Sequence, residues 1–351
     1  MNIDGTVYRM PVQQEREQLG WNDEFEQAWV VLGRPEPVGR VTRLDRGWSS
    51  VDTGHGDVLR VRNIGADVAV GDWVIVSPDG ERVAAVLPRR SAFIRRASFE
   101  GSRGEAHALA ANLDTVFLVH ALTSPPNQRR LERELVLTYD SGADPVIVLS
   151  KADVARDERS VADAVRTVEA VALEAPVHAV SARTGVGLDV LRAYAPVGRT
   201  VGVLGASGVG KSTLVNALIG ADVQRTTAVR EGDHRGRHTT VATELLDLPG
   251  GGMLLDTPGL RAVSLWASGD GLAKSFSDVS ALAERCRFAN CSHDVEPDCA
   301  VVEAVRDGTL SEMRLVSWVR LSAELRTLAT EVVEVERAAG KGRGRRGFPS
   351  R

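Results

Sequence analysis

The chain has 351 residues, a formal net charge of −4, 43% hydrophobic and 26% charged residues. That length allows two or three domains, the composition is that of an ordinary folded protein, and the charge balance advertises no general affinity for nucleic acid. The longest apolar runs, such as "TVFLVHAL" at 115–122, fall short of a membrane span, and the N-terminus lacks a basic segment followed by an apolar one, so a cytoplasmic protein without a membrane partner is expected.

In chain order, residues 1–35 read as an extension with one short helix around "NDEFEQAWVVLG". Residues 36–98 alternate short β-prone runs with Gly and Asp turns, the spacing of a small antiparallel barrel. An oligonucleotide-binding fold would give that barrel an RNA-binding face, and a plain structural β-domain is the alternative. From 106 to 265 apolar strands at 115–120, 145–150, 177–182, 200–205 and 253–258 alternate with helical stretches, as in a mostly parallel sheet covered on both faces. Residues 266–338 are mainly helical, and 339–351 form a basic tail with no acid. Such a tail is either solvated or set against a phosphate backbone.

The stretch Gly205, Ala206, Ser207, Gly208, Val209, Gly210, Lys211, Ser212, Thr213 fits G-x-x-x-x-G-K-S between a strand and a helix. The glycines let backbone N–H groups cradle phosphate oxygens, Lys211 reaches the β- and γ-phosphates, and Ser212 can ligate Mg²⁺. At the end of a later apolar strand, "DTPG" places Asp256 to hold Mg²⁺ through water and Gly259 to meet the γ-phosphate. Between them a polar, Gly-rich segment carries Thr239 and Thr240. Either can close over Mg²⁺, and Thr240 is preferred. Upstream of all this, "SKAD" offers Ser150, Lys151 and Asp153, whose carboxylate would select guanine, and "SAR" offers Ser181 and Ala182 to clamp the base. Base recognition therefore precedes phosphate binding along the chain. A circular permutation explains the order, because domain termini commonly lie close together. A switch II that feeds directly into 266–338 could then pull on the C-terminal region.

All three cysteines fall close together in C-x₄-C-x-H-x₅-C, giving Cys286, Cys291, His293 and Cys299. Three thiolates and an imidazole form a closed tetrahedral set, so one structural Zn²⁺ is expected.

Together these motifs, with "GRHTT" and "EPDCAV", closely resemble the bacterial circularly permuted ribosome-biogenesis GTPases of the RsgA or YjeQ family. The resemblance implies an N-terminal oligonucleotide-binding barrel, a permuted α/β P-loop GTPase and a C-terminal zinc-binding domain. It also implies binding to the small ribosomal subunit and its rRNA late in maturation, with the subunit stimulating hydrolysis of GTP to GDP. Lys211, Thr240 and His238 would then serve catalysis, His238 accepting a hydrogen bond from the attacking water. Two departures from the family pattern stand out: Ser150 replaces the Asn that ties the base to the phosphate loop, which lowers the guanine affinity to be expected, and the N-terminal extension and basic tail have no clear counterpart. Leu260 occupies a position where many GTPases place a water-orienting Gln, so intrinsic turnover is expected to be slow. An RNA-binding scaffold with GTP as a structural ligand is the alternative function. Nothing in the sequence demands more than a monomer.

Overall fold

The computed structural model describes residues 12–35, 37–54, 56–96, 106–220, 243–256, 270–294 and 296–343. Two helices open the chain, α1 (Val12–Gln18) and α2 (Asp23–Val31). Asn22 caps α2 by accepting hydrogen bonds from the N–H groups of Glu24 and Phe25 at 3.1 and 3.2 Å. The 1–35 stretch thus holds one more helix than its weak periodicity suggests.

Five strands follow: β1 (Val38–Asp45), β2 (Trp48–Asp52), β3 (Val58–Arg62), β4 (Trp73–Val76) and β5 (Val83–Val86). β1 pairs with β2 and β4, β2 with β3, and β4 with β5, all antiparallel. A parallel bridge from Arg62 to Arg82 closes the ring. The order 1-2-3-5-4-1 is a small closed barrel of the oligonucleotide-binding type. Val41, Val51, Val61, Val74 and Val76 fill its interior. The other face of β4 carries Trp73 and Ile75, which pack on Trp21 and Phe25 of the N-terminal helices. Trp21 stands edge-on to Trp73 with ring centroids 4.7 Å apart. β4 reads as a continuous apolar run because both its faces are covered.

A ribbon of β6 (Ala92–Arg96) and β7 (Ala106–Ala111) leads into the larger unit. There β8 (Thr115–Ala121), α3 (Gln128–Ser141), β9 (Asp144–Ser150), α4 (Glu158–Ala172), β10 (Val177–Ala179), α5 (Leu188–Arg192), β11 (Thr200–Gly205) and α6 (Lys211–Ile219) alternate. β12 (Glu244–Asp247) and β13 (Met253–Asp256) complete the sheet. Its order is β10-β9-β8-β11-β13-β12, parallel except for β12. The short β12 was not legible as a strand in the sequence. Renumbered from β11 and wrapped past β13 to β8, the order becomes 6-5-4-1-3-2, a doubly wound sheet with the phosphate-loop strand at its centre. Its switch point lies between β11 and β8, and the crevice beyond the carboxyl ends of those strands is where such sheets bind ligands.

α3 is buried on two sides. Leu131 and Leu135 face the sheet, whereas Val136 and Leu137 face the C-terminal region. α3 presents apolar residues in two directions and is therefore enclosed from both. The enclosing elements are α7 (Asp270–Ser275), α8 (Ser277–Ala283), α9 (Ala300–Arg306) and α10 (Glu312–Arg343). α10 runs into the stretch expected to be a tail. α7 meets α3 at Gly271, where a Cβ would stand 2.4 Å from the Val136 carbonyl. Among the described residues, no helix is long and apolar enough to cross a membrane.

Candidate nucleotide-binding and metal sites

The phosphate loop links β11 to α6 at the switch-point crevice. Gly205, Gly208 and Gly210 have φ of 155°, 80° and 98°, values that disfavour side chains. A Cβ at Gly205 would also lie 2.5 Å from the Val119 carbonyl. Ala206 and Val209 are half-buried, while Ser207, Ser212 and Thr213 are exposed at the mouth. The Lys211 ammonium donates to the carbonyls of Gly205 and Ala206 at 2.9 and 2.6 Å, lying over the loop that it would help to charge. Asp256 ends β13 nearby. Its surroundings raise its carboxyl above the ordinary value by desolvation, and the Lys211 ammonium pulls it back.

The "SKAD" segment reaches the same loop from the end of β9. The Ser150 hydroxyl donates to the Val209 carbonyl at 2.6 Å and lies 3.3 Å from the His120 carbonyl. The Lys151 ammonium donates to the Gly208 carbonyl at 2.8 Å. Serine thus keeps the tie that the sequence comparison with Asn puts in doubt, because its short side chain is buried directly against the loop. Lys151 has φ of 59°, which directs the chain into the turn that carries Asp153. Ser181 donates to Asp153 at 2.7 Å and accepts from the Thr184 N–H at 3.2 Å. The Ser181 hydroxyl holds the Asp153 carboxyl below its ordinary value, so the acceptor is ionised at neutral pH. Ala182 follows, half-buried against the apolar layer under α6.

His120, unremarkable in sequence, is buried at the end of β8. Its Nε2 lies 2.9 Å from Glu134 of α3, whose other oxygen accepts from Arg130 at 2.7 Å. A carboxylate on the inward side of an otherwise apolar helix face was the available signal. His238, Thr239, Thr240, Gly259 and Leu260 lie outside the described residues, as does the link through which switch II would pull.

At the far side of α3, one ligand atom from each of Cys286, Cys291, His293 and Cys299 lies within 4.8 Å of all the others. A tetrahedral ion with metal–sulfur and metal–nitrogen bonds of about 2.3 and 2.0–2.1 Å sets its ligand atoms roughly 3.5–3.8 Å apart. The Cys286 and Cys299 sulfurs are 3.8 Å apart, and His293 Nδ1 lies 3.6 and 3.4 Å from them. The set therefore fits one tetrahedral metal ion. Cys299 also caps α9, accepting from the Val302 N–H, and Trp318 of α10 packs edge-on to the His293 ring at 5.0 Å. The Cys/His cluster is thereby part of the C-terminal core.

The sequence profile of the RsgA GTPase family matches residues 86–266. The small ribosomal subunit biogenesis GTPase RsgA of Streptomyces coelicolor is 43% identical over 320 residues, spanning 87% of this chain and 85% of that one. The chain belongs to the RsgA GTPase family. The RsgA of Methanosarcina acetivorans is 40% identical over 316 residues, covering 87% of this chain and 84% of its own. Among solved structures, YjeQ from Thermotoga maritima aligns with a TM-score of 0.61 at 26% identity, over 83% of this chain and 98% of that one. YloQ, described as a circularly permuted GTPase, shares the fold with a TM-score of 0.58 at 23% identity, over 83% and 95%. That description agrees with the permutation inferred from motif order, and the sheet order found here is its structural form.

Proposed function

We propose that the chain hydrolyses GTP to GDP and phosphate while acting on the maturing small ribosomal subunit, as the names of its relatives state for them. The observation that carries the nucleotide reading is the pair of bonds from Ser150 and Lys151 to the phosphate-loop carbonyls. They bring the Asp153 turn to the loop, so that one purine nucleotide can reach both. Asp153 would accept from guanine N1 and N2, an edge that adenine does not offer. The loop N–H groups and Lys211 would hold the β- and γ-phosphates in place and stabilise charge on the transferred group. Ser212, Thr240 and, through water, Asp256 would hold Mg²⁺, which would supply charge neutralisation. His238 would orient the attacking water. The Cys286, Cys291, His293 and Cys299 set would hold one Zn²⁺, closed to substrate and structural in role.

The barrel supports an RNA-facing role. The guanidinium groups of Arg60 and Arg62 lie 5.1 and 5.0 Å from the Trp48 ring centre. An aromatic face flanked by cations suits stacking on a base beside its phosphate. Leu260, which can neither donate to nor accept from water, favours the alternative of an RNA-binding scaffold with bound GTP. GTP turnover measured with and without purified small subunits separates the two, since a complete lack of stimulation sinks the enzyme reading. Ser150→Ala tests the site itself. It should weaken GDP and GTP alike by roughly fivefold, the equivalent of one hydrogen bond of about 1 kcal/mol, and unchanged affinity would mean that the tie does not serve the nucleotide.

A further inference from the structure

A cleft of about 350 Å³ opens between α3 and α10, on the opposite side of the phosphate-loop strand from α6. Arg129, Arg130 and Arg133 line it from α3, and Arg320 lines it from α10. Residues one helical turn apart share a face, which explains the convergence of the α3 guanidinium groups. Arg130 pairs with Glu134 at 2.7 Å and Arg133 with Glu324 at 2.6 Å. Arg129 and Arg320 are exposed and make no ion pair with a described residue. The four guanidinium groups face two carboxylates, leaving a surplus of two positive charges. Deeper in, Ser317 is only 4% exposed, and its hydroxyl has no hydrogen-bond partner among the described residues. A buried hydroxyl is costly to leave unpaired. Cationic forks and a stranded donor around one cavity, which Leu137, Leu204, Val316 and Leu321 also line, describe an anion site, and a phosphate fits it best because guanidinium binds phosphate in a bidentate manner.

We propose that this cleft holds a backbone phosphate of the RNA in the small ribosomal subunit, an inference that rests on the ribosomal reading above. The open mouth, edged by the exposed Arg129 and Arg320, suits a polymer strand passing over it better than an enclosed small molecule. The cleft also spans the seam between the GTPase unit and the metal-bearing region. Its floor includes Leu204, the residue before Gly205. A contiguous set of contacts leads from it to the nucleotide site: Arg130 to Glu134, Glu134 to His120, the His120 carbonyl to Ser150, and Ser150 to Val209. RNA bound in the cleft therefore lies one chain of direct contacts from the phosphate loop.

The test compares the full-length protein with Arg129→Ala/Arg320→Ala for binding to purified small ribosomal subunits across a salt series. The double variant should bind about 10-fold or more weakly, with a salt slope smaller by about 1–2, since each lost phosphate contact removes nearly one released counterion. Arg129→Lys/Arg320→Lys should keep the slope while losing part of the affinity. Ser317→Ala, which deletes one hydroxyl without changing charge, should weaken binding by several-fold at an unaltered slope. Should the double Ala variant unfold more readily than the parent, the Lys and Ser317 variants still decide. Equal affinity and slope in every variant would overturn the proposal. So would a saturable thermal stabilisation by inorganic phosphate alone that the double variant loses while still binding subunits normally, because the cleft would then serve a free ion. If the unaltered protein fails to bind subunits at all, the ribosomal reading itself falls.

Discussion

Two buried arginines join the outer regions to the GTPase unit, and they do so differently. On the barrel side Arg40 is 1% exposed and ends among neutral carbonyls. It donates to Leu19, to Gly71 at 3.2 Å and to Asn112 at 3.2 Å, gathering the N-terminal helices, the barrel and the entry to β8. On the metal side Arg314 is 4% exposed and ends among carboxylates. It donates to Asp278 at 2.6 and 3.0 Å, to Glu132 at 3.1 Å and to the Ser275 carbonyl at 2.7 Å, and stacks on Phe276 at 4.4 Å. Glu132 is fully buried, and one of its oxygens already lacks a partner. Among the described residues Arg40 hydrogen-bonds no carboxylate, and burial pulls its guanidinium down to about 10 against the upward pull of Asp114 and Asp72. A joint made of dipoles tolerates loss of its cation better than one made of charges.

The comparison can be broken from the metal side first. Keeping the chain metal-free with a chelator should release the whole C-terminal core, because the candidate ligands Cys286, Cys291 and Cys299 belong to it. Structural zinc contributes on the order of 10 kcal/mol in small domains. Hydrogen exchange should then rise across 270–330 while the barrel stays protected, and uniform loss of protection would show the two joints to be coupled. Arg314→Met comes next. It strands Glu132 and should cost about 3–5 kcal/mol in denaturant unfolding of the C-terminal region. Arg40→Met strands neutral acceptors and should cost roughly 1–3 kcal/mol. A reversed ranking of these two would refute the distinction between dipolar and ionic joints.

The smallest effect sharpens the contrast at the site that lies between the joints. Ser181→Ala removes the hydroxyl that holds Asp153 low. An acid depressed in the folded state keeps its ionised form, and what depends on it, until pH falls through that depressed value. The variant carboxyl should therefore protonate at a higher pH. Guanine nucleotide binding, followed by fluorescence on acidification, should fail sooner in the variant than in the parent, with little difference at neutral pH. Identical profiles would show that Asp153 does not set the acid limit of binding.

Local spacing made much of this protein legible. The four candidate metal ligands fall within one short stretch, and their sulfur and nitrogen atoms converge. The glycine pattern of the phosphate loop is likewise a property of consecutive residues, since it is written in backbone angles. Permutation was readable because motif order survives in a linear chain. The first N-terminal helix, α1, was not readable, since its anchor is Arg16, which donates to the Thr53 carbonyl at 3.2 Å and lies over the Trp21 and Trp29 rings, rather than its own periodicity.

What the sequence determined alone, then, were chemistries confined to short segments, where residue type and spacing fix the geometry. Only the tertiary structure decided how those segments were joined. Ser150 is 59 residues from the carbonyl that it ties, and Arg314 is 182 residues from Glu132. The cleft between α3 and α10 likewise has walls from distant stretches of the polypeptide, with Arg133 standing 191 residues before Glu324. A buried hydrogen bond or ion pair forms wherever packing excludes water and brings partners together, and that encounter leaves no periodic trace along the chain.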